Sequence, residues 1–112
     1  MFGPYSLQST TGVQDKLEMP ESFELQQNYP NPFNPSTTIS FSLAKQTSVN
    51  LSIFDVTGRL VATLVDAELE AGSHQAVWDA VDSYGASLAS GVYFYTMTTS
   101  TISLTKSMTI VK

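Results

Sequence analysis

One histidine, His74, no cysteine and a scatter of serines and carboxylates are all this chain offers for building a reactive centre. An acyl-transfer triad needs a serine, a histidine within reach of it and a carboxylate that orients the ring. On a strand the neighbours of His74, Ser73 and Gln75, point to the opposite face, so His74 reads as a solvent-facing or half-buried structural residue. The missing cysteine excludes a thiol nucleophile, a disulfide framework and a thiolate zinc site. Asp79, Asp82 and the carbonyls around Gly85 offer oxygen to calcium. Calcium takes about 6 to 8 oxygens and the spacing matches no EF-hand loop, so turn chemistry, with the aspartates bonding nearby amides, accounts better for them. The chain therefore reads as a non-enzyme, with no catalytic residue, no cofactor and no required metal.

Binding chemistry is thin as well. The formal charge of −5 disfavours nucleic acid phosphates and anionic lipid headgroups. Its distribution is uneven, because Asp15, Glu18, Glu21 and Glu24 crowd the front while the stretch from Ser83 to the end has no acid and carries Lys106 and Lys112. Pro32-Phe33-Asn34-Pro35 satisfies a bare P-x-x-P pattern but runs straight into a strand, which suits a structural ribbon better than an SH3 ligand. Asn50-Leu51-Ser52 fits a glycosylation acceptor yet falls mid-strand. Tyr93 and Tyr95 share one face and Val92 and Phe94 the other; one row must be core, and the second is a candidate sugar-stacking surface.

The elements that would position these residues are legible. At 112 residues the chain makes one domain with a tail. All 5 prolines lie at or before Pro35. Residues 1–22 read as a flexible linker or tail, and residues 23–112 as the folded domain. Residues 1–17 lack the basic start and apolar core of a signal peptide, and an upstream domain is expected to precede this chain. Phe23, Leu25 and Gln27 alternate as a short edge strand would, and the prolines after them suit an edge. Period-two alternation recurs at Ile39, Phe41 and Leu43 and at Val49, Leu51 and Ile53. Asp55 to Arg59 is a turn in which Gly58 supplies a positive φ, and Leu60 to Val65 resumes the sheet. A short amphipathic helical turn over residues 61–69 is the alternative there, against which the β-branched residues weigh. Glu68 to Gly72 reads as a loop, followed by a strand with His74, Ala76 and Trp78 on one face. Gly91 opens a dense aromatic and β-branched strand, and residues 102–111 form the last. The sum is an all-β, seven-stranded sandwich of immunoglobulin or fibronectin type, whose core gathers Ile39, Phe41, Val49, Leu51, Ile53, Trp78 and Phe94.

The opening Asn28-Tyr29-Pro30-Asn31-Pro32-Phe33-Asn34-Pro35, running into Ser36-Thr37-Thr38-Ile39, is the most specific feature of the chain. Each proline fixes its own φ and biases the residue before it toward extended conformations, so Tyr29 and Phe33 arrive on a preset path. From Leu25 to Lys112 the chain resembles the C-terminal sorting domain of bacterial type IX secretion cargo, and with it the flagellar-hook-capping type of immunoglobulin-like module. Asp55-Val56-Thr57-Gly58-Arg59, Ala71-Gly72-Ser73-His74, Trp78-Asp79 and Leu88-Ala89-Ser90-Gly91-Val92-Tyr93-Phe94-Tyr95 follow the family order. Ala80 departs from it, standing where many relatives have glycine.

The resemblance implies a secretion signal that carries an N-terminal cargo domain through the periplasm to the outer-membrane type IX translocon, and so to the cell surface or medium. A surface sortase-like peptidase then often clips it. On this view recognition falls on Gly91, Tyr93, Lys106 and Lys112, while Asn28, Pro30, Asn31, Pro32, Phe33, Asn34, Pro35, Gly58, Trp78 and Asp79 are structural. The alternatives are an accessory carbohydrate-binding module of a secreted enzyme and a structural spacer.

Overall fold

The computed structural model describes residues 22–33 and 36–112. Of the expected linker only Ser22 falls within them, and Asn34 and Pro35 of the proline ribbon lie outside them. Among the described residues there are seven strands, namely β1 (Glu24–Leu25), β2 (Thr37–Leu43), β3 (Thr47–Phe54), β4 (Leu60–Leu69), β5 (Gly72–Trp78), β6 (Gly91–Thr98) and β7 (Ser103–Ile110). They form two antiparallel sheets, ordered β1-β2-β5 and β4-β3-β6-β7. The all-β sandwich is as the sequence leads one to expect.

Alternation decides what fills the space between the sheets. Ile39, Phe41 and Leu43 of β2 and Val49, Leu51 and Ile53 of β3 are buried, as is Trp78 at the end of β5. Trp78 stands 6.0 Å from Phe33 and 6.2 Å, edge-on, from Tyr93, and its indole N–H donates to the Val81 carbonyl at 2.9 Å. His74 is half-buried, stacks on Phe41 at 5.5 Å, and its Nε2 lies 2.8 Å from the Glu70 carbonyl.

Two expectations need correction. Phe94 is 36% exposed and lies outside the core; Tyr93, Tyr95 and Met97 take the inward positions of β6. Period two allows either row inside, and the tyrosines can go in because each hydroxyl finds a backbone partner there, Tyr93 donating to Ala89 O at 2.9 Å and Tyr95 to Gln26 O at 2.7 Å. The tyrosine row is therefore no sugar-stacking surface. The stretch 61–69 is strand, as its β-branched residues led one to expect, but β4 runs on to Leu69 instead of yielding to a loop at Glu68. Leu51 pairs with Val65 and Ser52 with Thr63, which leaves Leu64 as a bulge that breaks the period and mimics helical spacing.

Ala80 adopts φ 62°, a left-handed conformation that costs an L-residue roughly 1–2 kcal/mol. Its methyl group is buried, and its carbonyl accepts from Leu88 N at 3.0 Å, which holds the turn after Trp78 in place. The alanine at the family's glycine position thus keeps the glycine-like backbone.

Candidate functional site

The proline ribbon and the C-terminal strand form one assembly. β7 is an edge strand of its sheet, and an edge presents unpaired backbone groups. Its hairpin closes through Thr99 N donating to Ile102 O, so Leu104, Lys106, Met108 and Ile110 turn their backbone groups toward β6, and the odd-numbered residues turn theirs outward. Residues 27–33 cover the distal half of that outer edge. Gln27 Nε2 donates to Ser107 O at 2.8 Å, Thr109 N donates to Asn31 Oδ1 at 3.0 Å, Phe33 N donates to Thr109 O at 3.1 Å, and Val111 N donates to Phe33 O at 3.0 Å. Phe33 and Ile110 make a parallel bridge, and the Phe33 ring is buried against Trp78.

The inner side of the ribbon is equally tied. Asn28 is 2% exposed, and its backbone N–H donates to the Tyr95 hydroxyl at 2.8 Å. Asn28 Nδ2 donates to Thr37 Oγ1 at 3.0 Å and to Pro30 O at 3.2 Å, and Thr37 Oγ1 donates to Pro30 O at 2.8 Å. A buried amide side chain needs such partners, which explains asparagine here. Burial pushes the Tyr95 hydroxyl pKa up, against the opposing pull of the Asn28 amide. The Tyr29–Pro30 and Asn31–Pro32 peptides are cis. Pro30 and Pro32 are exposed, and Tyr29 pairs with Thr38 through its backbone while its ring stays in water.

The residues assigned to recognition do not share one environment. Tyr93 is buried, so its ring supports Trp78 and presents nothing to a partner on the folded sheet, where Val92 and Phe94 show instead. Gly91, at φ 147°, pairs with Ile110. Lys106 pairs with Tyr95 and occupies the core-facing phase of the edge strand, half-buried, with its stem leading to water. Lys112 is exposed, and its backbone N–H donates to Ser90 Oγ at 3.1 Å. Asp79 is exposed as well. Sequence reasoning missed Thr37 and Tyr95 as ribbon partners; both sit at inward positions of their strands, which was the available signal.

Gly58, at φ 86°, serves the β3–β4 turn. Asp55 Oδ1 accepts from Thr57 N at 2.9 Å, Thr57 Oγ1 at 2.6 Å and Arg59 N at 3.0 Å. The Thr57 hydroxyl, and next the Arg59 amide, hold the Asp55 carboxyl below the usual carboxylate range. Among the described residues no group of three or more acidic or histidine side chains gathers as a metal cage would require.

Two facing sheets of this topology, closed at one edge by an N-terminal ribbon, define an immunoglobulin-like β-sandwich module. Residues 29–103 match the FlgD Ig-like domain, and the chain belongs to that family. FlgD from P. aeruginosa is 27% identical over 66% of this chain and 58% of that one, with a TM-score of 0.53. PorZ from Porphyromonas gingivalis, described as an essential bacterial surface component of the type IX secretion system, is 24% identical with a TM-score of 0.54. That match covers 82% of this chain and 12% of PorZ. Dimeric latent PorU from P. gingivalis is 21% identical with a TM-score of 0.62, over 96% of this chain and 10% of PorU. The likenesses to PorZ and PorU are likenesses of fold, and this chain spans only a part of each of the three. No curated protein matches the chain.

Proposed function

We propose that this module is a C-terminal sorting domain, which directs an attached cargo through the type IX outer-membrane translocon to the cell surface or medium and is itself catalytically silent. The observation that carries the reading is the joining of the Asn28–Phe33 ribbon to the terminal strand through Thr109 and Val111. The segment most specific to the family resemblance and the terminal strand to which recognition at Lys106 and Lys112 is assigned, far apart in the chain, meet on one edge. Membership of the FlgD Ig-like family and the fold shared with a type IX surface component support the same class of role. The translocon and a surface peptidase are the expected partners. Lys106 and Lys112 are the charged groups that this end of the module offers to carboxylates on them.

Deleting residues 107–112 is a poor test, because it removes Met108 and Ile110 from the core and unfolds what it probes. The Lys106→Ala, Lys112→Ala double variant keeps both. Exposed ion pairs contribute at most about 1 kcal/mol to stability, so this variant should stay folded. Fused to a reporter in a type IX-competent cell, it should reach the surface less than the parent while melting within a few degrees of it. Equal delivery of both would remove the role given to the two lysines, and delivery of the parent no better than that of the reporter without the module would remove the sorting reading and leave the spacer and binding-module readings.

A further inference from the structure

A second feature lies in the loops. The turn Asp82-Ser83-Tyr84-Gly85-Ala86 repeats the hydrogen bonds of Asp55-Val56-Thr57-Gly58-Arg59. Asp82 N donates to Ala86 O at 2.9 Å as Asp55 N does to Arg59 O at 3.0 Å, and Gly85 N and Gly58 N donate to the respective aspartate carbonyls at 3.0 Å. Asp82 Oδ1 accepts from Tyr84 N and Ala86 N at 2.9 Å each, as Asp55 Oδ1 does from Thr57 N and Arg59 N. The glycines adopt φ 84° and 86°. Ser83 N then ties the second loop to Val61 O at 3.1 Å, so the loops stand side by side as two rigid walls. Between them is an open cleft of about 540 Å³, within the usual range for small ligands.

The cleft's walls limit what it can take. Tyr84 is 96% exposed, although its backbone is pinned from both sides by the Asp82 cage. An aromatic ring carried into water on a fixed backbone is a stacking platform without a partner. Leu60 and Leu88 supply apolar floor, and Arg59 supplies planar donors. Asp82 Oδ2 makes no hydrogen bond among the described residues. Asp55 and Asp82 outnumber Arg59, which already leans on Asp55 at 3.5 Å, so an anionic ligand would meet net repulsion. A molecule with an apolar face, several hydroxyls and no charge fits these walls.

We propose that the cleft between the twin Asp-Gly loops binds a neutral saccharide, with Tyr84 stacking on one sugar ring and Asp82 and Arg59 bonding its hydroxyls. The site is separate from the ribbon and terminal strand and stands or falls independently of the sorting reading. The test is an amide NMR titration of the isolated chain with cellobiose, maltose, chitobiose and mannobiose, and in parallel with glucuronate and with calcium alone. At least one neutral disaccharide should shift the amides of residues 59–61 and 82–88 with a Kd of about 1 mM. Tyr84→Ala should weaken that binding about ten-fold or more at unchanged melting temperature, because the ring contributes no packing. The proposal is overturned if no neutral disaccharide moves these amides, if binding survives Tyr84→Ala, or if only glucuronate or calcium binds.

Discussion

Replacing Tyr95 by phenylalanine removes one oxygen and leaves the ring in place, so no cavity opens and the loss measures hydrogen bonding alone. Tyr95 is fully buried, and its hydroxyl both accepts from Asn28 N at 2.8 Å and donates to Gln26 O at 2.7 Å. The two partners differ in consequence. Gln26 is exposed, so water replaces the lost donor and the cost there is about 0.5–1 kcal/mol. Asn28 is buried, and an amide left without an acceptor costs about 1–3 kcal/mol. The sum is roughly 1.5–4 kcal/mol, which for a domain of this size lowers the melting temperature by roughly 6–30 °C. Chemical denaturation supplies the free energy, and hydrogen exchange locates it. Exchange at Asn28, and at Thr109 and Val111 across the ribbon, should quicken at least about ten-fold more than exchange at Leu51 in the core. A loss below about 0.5 kcal/mol, or a uniform rise in exchange, would refute the claim that this hydroxyl fastens the ribbon to the sheet.

Trp78→Ala should cost about 3–5 kcal/mol in denaturant, because the ring packs on Phe33 and Tyr93, whereas Phe94→Ala on the outer face should cost less than about 1 kcal/mol; similar losses for the two would mean that the phase of β6 is wrong. Burial raises the Tyr95 pKa above its ordinary value of 10.0, so the folded chain holds this proton when the unfolded chain has lost it. Stability is then fully present below about pH 10 and falls as pH rises through the folded value, and a near-ultraviolet titration should show one tyrosine ionising only with unfolding. The Asp55 pKa is lowered, first by the Thr57 hydroxyl, so its contribution is present above the ordinary value of 3.8 and is lost as pH falls through the folded value. Asp55→Asn should therefore flatten the acid limb of a stability–pH curve.

Sheet class, strand number and most of the core were legible because period-two alternation is a local property. Ile39, Phe41, Val49, Leu51, Ile53 and Trp78 could be assigned inward from their own neighbours alone. Gly58 was legible for the same reason, since a tight turn needs a residue that accepts positive φ. What the chain alone left open was any choice between two equally periodic answers. On β6 both faces are apolar, and the backbone acceptors, Ala89 four residues earlier and Gln26 brought near from the other end of the domain, draw Tyr93 and Tyr95 inward and leave Phe94 outside. At Leu64 the bulge exists because β3 sets the register, so the local pattern looked part helical. The proline ribbon announced itself as stiff, but that it lies along β7 is a contact across almost the whole domain, from Asn31 to Thr109 and from Phe33 to Val111. Local stiffness selects a conformation; which edge that conformation covers is decided by where the folded sheets leave backbone donors and acceptors unpaired.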